Sequence, residues 1–226
     1  MPIEVLPALD RSTLRERCTG FVRERIVSGA MPPGTHIREA PLSGELGVSR
    51  GTLREALRPL ETEGLLVSDG RGHMLVRELS AREILEVFEV RQALEALAAS
   101  ELAERDDRAT IVAELRGLLV PLRSGELGFG KQIELDLRFH AHLCELTGNL
   151  TLVATWRRLI GQIEMIIIAA GPGRAVDRMR YADHIAIVDA IETGDSAHAA
   201  AVVSAHMNDF ARKYVGDAHA DGLETR

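Results

Sequence analysis

Residues 39–64, EAPLSGELGVSRGTLREALRPLETEG, constrain the fold of this chain more than any other segment. Apolar residues recur there at helical steps in two runs with a break between them. Leu42–Leu46 reads as a short helical stretch that Glu39 helps to start, Gly47-Val48 as a tight turn, and Ser49 as the cap of a second helix running to about Glu63. Val48, Leu53, Ala56, Leu57 and Leu60 give the second helix an apolar face, and the other face carries Arg50, Thr52, Arg54 and Arg58. Two helices joined in this way form a helix-turn-helix. The arginine-bearing face of its second helix is suited to base edges and phosphates in a DNA major groove.

The flanking segments extend this unit. Leu14, Cys18, Phe21, Val22, Arg25 and Ile26 recur at three- and four-residue steps, predicting a helix over 12–28 that Gly29 ends. After Gly64, the apolar runs Leu65-Leu66-Val67 and Met74-Leu75-Val76 flank the turn Ser68–Gly72, as a β-hairpin wing does. Arg71 and Gly72 at its tip are placed to reach a minor groove or a phosphate; the plainer reading is a solvated hairpin.

Net charge bears on whether such a head can bind DNA. The chain carries −7 overall. Residues 1–77 hold 11 Arg and 10 acidic groups, a net of +1, so the acidity lies in the remainder. A nearly neutral head still binds DNA when its arginines share one face.

From Ser80 onward no strand pattern appears. Six helices are predicted, at roughly 80–105, 108–123, 130–147, 150–170, 174–193 and 196–215. Ser80 with Glu83 fits a capping box, and Thr193-Gly194-Asp195 reads as a helix end followed by a new N-cap. The expectation is a mainly α chain: a winged helix-turn-helix domain over 1–78, an all-helical bundle over 79–216 and a disordered tail over 217–226. No apolar run reaches the roughly 18 residues of a membrane span. The N-terminus lacks the pattern of a signal peptide, and Cys18 and Cys144 read as reduced thiols. The expected setting is the cytoplasm, and the basic residues, nearly all arginine, fit a GC-rich bacterial genome.

A second constellation lies in the helical part. Asp136 and His140 share a helix face by their four-residue spacing. His184 is flanked by Ile185, Ile187 and Val188, and His206 lies among Val202, Val203 and Phe210. A single histidine on an apolar face is commonly a hydrogen-bonded core residue, but three with a carboxylate point to a divalent metal. Neutral imidazole and carboxylate together suit Zn²⁺, with Ni²⁺, Mn²⁺ or Fe²⁺ as alternatives. Cys144, one turn beyond His140, reads as a small core hydrophobe that could approach the same site.

With these segments in view, the chain resembles the GntR family of bacterial transcription regulators, in its FadR branch with an FCD-type helical effector domain. The resemblance covers about residues 12–215. It rests on PPGTHIREAPLSGELGVSRGTLREALRPLETEGLL, RGHMLV, EVRQALE, DLRFHAHLCELTGN and the pair His184 and His206. It implies DNA contacts from Ser49, Arg50, Thr52 and Arg54, with Arg71 and Gly72 on the wing, and a metal on Asp136, His140, His184 and His206. It implies that Arg91 meets the carboxylate of an organic acid effector; an i,i+4 pair with Glu95 is an equally good structural reading. Ala40 stands where some members have a DNA-contacting arginine, and Gly51 where a threonine is commoner. Six effector helices would match the shorter, VanR-like form.

The implied function is a homodimeric, ligand-responsive repressor on palindromic double-stranded operator DNA, its effector a small organic acid held with metal assistance. One alternative is a metal-dependent enzyme with a DNA-binding head, since such sites can activate water. No separate general base or nucleophile motif accompanies the site, so the expectation is no enzyme. Another alternative keeps the regulator but makes the metal purely structural or itself the signal.

Overall fold

The computed structural model describes residues 13–123, 127–175 and 179–220, with side chains except at 174 and 212–220. Helix α1 spans Leu14–Val27 and starts at a full capping box: the Thr13 hydroxyl accepts from the Glu16 N–H, and Glu16 accepts from the Thr13 N–H. Its buried residues Cys18, Val22 and Ile26 keep the predicted spacing. Helix α2 (Glu39–Glu45) and helix α3 (Arg50–Thr62) form the helix-turn-helix. Leu53, Ala56, Leu57 and Leu60 of α3 are fully buried against α1 and α2. Strands β1 (Leu66–Ser68) and β2 (Met74–Val76) pair antiparallel, with Leu66 opposite Val76 and Ser68 opposite Met74. The stretch 35–37 adds a third edge, the Ile37 N–H donating to Met74 and the Val76 N–H to Thr35. The head is thus a winged helix-turn-helix.

The helical half begins with α4 (Ala81–Ala103), capped by Ser80 and Glu83 as predicted. Helix α5 (Arg108–Leu119) continues into a 3-10 turn, Val120–Arg123, and α6 is Phe129–Glu145. The predicted helix at 150–170 is two: α7 (Leu150–Arg157) and α8 (Ile160–Ala170). At the break the Arg158 and Leu159 N–H groups bond three residues back, to Thr155 and Trp156. Gly161, the second residue of α8, is the sequence mark beside this break. The break lets α7 seat Trp156 against α4 while α8 turns toward the head. After the single turn α9 (Pro172–Ala175), α10 spans Tyr181–Glu192, so the expected start at 174 was too early. Helix α11 runs Ser196–Ala220, into the segment expected as a tail; residues 211–220 contain no proline, and only Gly216 is a poor helix former. Residues 221–226 lie outside the described residues. The described residues therefore hold seven effector helices of eight residues or more, which removes the helix-count argument for the shorter form.

Helix α11 lies along α4 and packs on α10, while α6 packs on α4, α5 and α7. Inward faces of α4, α6, α10 and α11 therefore meet inside the bundle. A close backbone contact joins the head to it. A Cβ on Gly161 would lie 1.4 Å from the Glu63 carbonyl oxygen at the C-cap of α3, a distance that only glycine permits. Beside it, Arg23 of α1 donates to Glu63 and lies 3.7 Å from Glu164 of α8. No helix among the described residues is long and apolar enough to cross a membrane.

Candidate functional site

Three helices bring the four sequence-predicted metal-ligating side chains to one place. Asp136 and His140 come from α6, His184 from α10 and His206 from α11. Asp136, His140 and His184 are at most 1% exposed, and His206 is half-buried. A ligating nitrogen from each histidine lies within 4.8 Å of the others. Asp136 Oδ1 lies 2.9 Å from His184 Nε2 and 3.9 Å from His140 Nε2. The two Nε2 atoms are 3.2 Å apart.

The second nitrogen of two rings is already committed. His140 Nδ1 donates to Glu95 Oε2 at 2.6 Å, and His184 Nδ1 donates to the Arg180 carbonyl at 3.0 Å. Each bond leaves the Nε2 lone pair turned inward, toward the other imidazole and the Asp136 carboxylate. A cluster of acceptors needs a cation or a proton to hold it together. Asp136 Oδ2 is buried with no hydrogen-bond partner, as an oxygen left for a cation would be. The donor set and this orphaned oxygen fit a divalent metal.

The charges around the cluster sort themselves accordingly. Burial pushes the Glu95 carboxyl up, but the Arg91 and His140 charges outweigh it and hold it at about 2. Burial likewise opposes ionisation of Asp136, yet its hydrogen bond with His184 and the nearby charges keep it well below the usual carboxylate range. Burial drives His140 down against the pull of Glu95. His184 is raised: burial would lower it, but Asp136 more than compensates. Burial and the two neighbouring imidazoles hold His206 far down, in the neutral form that ligates.

Arg91 and Glu95, both on α4, back the site. Arg91 is 1% exposed; its Nε donates to Glu95 Oε1 at 2.7 Å, while its Nη2 has no partner. Arg91 thus makes the i,i+4 pair with Glu95, and its Nη2 keeps a free donor. Trp156 Nε1 donates to the same Glu95 oxygen at 2.8 Å. Sequence reasoning missed Glu95 as the common anchor of His140, Arg91 and Trp156. The one signal was a charged i,i+4 pair on the helix face that also carries Val87, Phe88, Ala98 and Leu102. It also missed Gln132, one turn before Asp136, which is buried and whose Oε1 has no partner. Burial raises the Cys144 thiol well above its usual range, and Cys144 is not among the clustered ligands.

On the head, the predicted DNA-facing residues lie on an exposed surface. The Ser49 hydroxyl accepts from the Thr52 N–H at 3.0 Å and caps α3. Ser49, Arg50, Arg54 and Arg58 are exposed and Thr52 is half-buried. Arg54 Nε donates to Glu39 at 2.7 Å, which steadies it while most of its guanidinium remains in solvent. Arg58 pairs with Glu55 at 3.1 Å. At the wing tip Asp69 Oδ1 accepts from the Arg71 and His73 N–H groups, each at 2.8 Å, and Gly72 takes φ +81°. The turn is thereby ordered, with Arg71 exposed.

The comparisons with known proteins follow the same division. The model for bacterial regulatory proteins of the gntR family matches residues 14–76, and that for the FCD domain matches residues 86–209. The Nta operon transcriptional regulator of Aminobacter aminovorans is 32% identical over 80% of this chain and 85% of its own length. The "Probable D-xylose utilization operon transcriptional repressor" of Paenarthrobacter nicotinovorans is 27% identical over 95% of this chain and 93% of its own. Among solved structures, a GntR transcriptional regulator from Rhodococcus sp. RHA1 matches with a TM-score of 0.72 at 22% identity, over 91% of this chain and 99% of that one. Escherichia coli McbR/YncC matches at 0.66 and 19%, over 91% and 99%. Relatives and fold are those of transcription regulators, and the chain belongs to the GntR family, with an FCD domain as its helical half.

Proposed function

We propose that this regulator is a homodimeric repressor of the bacterial cytoplasm that senses a small organic acid through a divalent metal. The observation that carries the reading is the convergence of inward lone pairs from His140 and His184 with Asp136 and His206, beside a free Arg91 donor. Asp136, His140, His184 and His206 would hold the metal, Zn²⁺ before Ni²⁺, Mn²⁺ or Fe²⁺. When bound, the metal supplies a Lewis-acidic centre at which an acid's oxygen can complete the coordination. Arg91 would meet the acid's carboxylate through its free Nη2, and Glu95 would hold Arg91 and His140 in orientation.

The head, taken as residues 1–78, would read DNA with Ser49, Arg50, Thr52, Arg54 and Arg58, and touch the backbone or minor groove with Arg71 and Gly72. Two heads related by a two-fold axis match the half-sites of a palindrome. An acid that prefers one arrangement of the helical halves then shifts the spacing of the heads and hence their DNA affinity. The relatives named as repressors of xylose and gluconate operons favour repression over activation.

Two experiments test this reading. In a thermal-shift screen of carboxylic acids on metal-loaded protein, a true effector at a hundred times its Kd adds about 2.7 kcal/mol. That is roughly 5–10 °C in Tm for a chain of this size. His184→Ala should abolish the shift and weaken metal binding by more than the ~10–100-fold that loss of an outer-shell partner costs. Acid shifts that survive the substitution would sink the metal-assisted site. In parallel, Arg54→Ala should cost roughly 1–3 kcal/mol of operator discrimination with effector binding intact. Unchanged operator affinity would show that α3 has been given the wrong face.

A further inference from the structure

Arg38 stands between the two parts of the head assigned to DNA above, the recognition helix α3 and the wing. On one side the extended stretch 35–37 runs antiparallel to β2: the Thr35 carbonyl accepts from Val76, His36 pairs with Leu75 and the Ile37 N–H donates to Met74. Each step along it approaches the wing tip at Arg71 and Gly72. Arg38, still extended at φ −82° and ψ 93°, is the next residue. On the other side Glu39 accepts from Arg54 of α3 at 2.7 Å. One bond to the wing and one to the recognition helix thus flank Arg38 on either side. Ile37 is buried in the head, so the alternation of extended chain turns Arg38 outward, and it is exposed. Its charge is uncommitted. Arg23, Arg54, Arg58 and Arg77 each face a carboxylate, whereas Arg38 has no hydrogen-bond or ion-pair partner for its side chain among the described residues. The adjoining acid, Glu39, is already neutralised by Arg54.

Resting on the reading of α3 and the wing given above, we infer that Arg38 grips the sugar–phosphate backbone that runs between the two grooves, a contact beyond the residues already assigned. A recognition helix in the major groove and a wing tip in the neighbouring minor groove straddle one strand's phosphates, because that backbone is what separates the grooves. The strip of protein between helix and wing faces it, and Arg38 is a free cation on that strip. The guanidinium presents paired donors that match phosphate oxygens. Glu39, held by Arg54, leaves no uncompensated charge beside Arg38 to repel them. A phosphate carries no sequence information, so Arg38 supplies affinity and fixes the seating of helix and wing without adding discrimination between sequences.

Arg38→Ala and Arg38→Lys, made in the full-length protein, are titrated with two duplexes: one selected from a randomised pool by binding to wild type, and one of unrelated mixed sequence. An exposed residue without a partner should be replaceable at unchanged Tm, so binding is read on folded protein. For Arg38→Ala, affinity should fall by a similar factor on both duplexes, and the slope of log K against log salt should flatten by about 0.9 for each head. Arg38→Lys should keep the wild-type slope, because an ammonium also displaces a counterion. An unchanged slope in Arg38→Ala overturns the assignment. So does a loss confined to the selected duplex, which would mark a base contact instead. Arg54→Ala separates this inference from the reading beneath it. If Arg54→Ala loses discrimination while Arg38→Ala is silent, only Arg38 is misplaced. If neither substitution changes affinity for either duplex, the face given to DNA is itself wrong.

Discussion

Replacing Glu95 with alanine is expected to destabilise the helical half by about 3–5 kcal/mol, the cost of leaving one partner of a buried ion pair uncompensated. Glu95 is 0% exposed and serves three donors: Arg91 Nε, Trp156 Nε1 and His140 Nδ1. Alanine would leave a buried guanidinium, an indole N–H and an imidazole N–H without an acceptor, far from water. The cluster of Asp136, His140, His184 and His206 would suffer as well, because the His140 lone pair faces inward only while its other nitrogen is held. Glu95→Gln separates these effects, since an amide oxygen can still receive Trp156 but no longer neutralises Arg91. Urea unfolding with metal analysis checks the expectation. A loss below about 1 kcal/mol, the range of an exposed pair, would mean that Arg91 escapes to solvent.

The second large effect falls on the junction. Gly161→Ala is expected to break the contact between head and helical half, because the added carbon would sit 1.4 Å from the Glu63 oxygen and 2.4 Å from its carbonyl carbon. Both are backbone atoms at the C-cap of the recognition helix and cannot swing aside as a side-chain tip does. Overpacking of this kind costs about 1–3 kcal/mol and occasionally more. The sign is diagnostic, since alanine in place of glycine in a free helix favours folding by about 0.5–1 kcal/mol. A higher Tm for the variant would therefore show that α8 and α3 do not press together. A lower one, with operator affinity that no longer responds to the acid, would place the coupling at this contact.

Much of this molecule is legible in its sequence, because local chemistry determines it. The caps at Ser49, Ser80 with Glu83, and Asp195 are satisfied by residues three positions away, so they form wherever the chain lies. The apolar face of α3 and the alternation around the wing turn follow from helix and strand periods. Asp136 and His140 share a face by spacing alone, and His184 and His206 stand out as polar groups on apolar helices. The break between α7 and α8 is different. Its one sequence mark is Gly161 in the first turn of α8, and on either side of it Trp156 reaches Glu95 and Gly161 meets the head.

By itself, then, the sequence determined the two kinds of architecture, the exposed arginine face and the shared helix face of Asp136 and His140, all through contacts within a turn or two of helix. Only the tertiary structure decided that Glu95 organises the buried charges, that Gln132 is left without a partner beside the metal cluster, and that Gly161 touches the recognition helix. Glu95 meets His140 and Trp156 from 45 and 61 positions away, Gly161 meets Glu63 across the two domains, and the Gln132 case depends on what fails to reach a buried atom. Periodicity cannot encode them, because they exist only once four helices have excluded water from the same space.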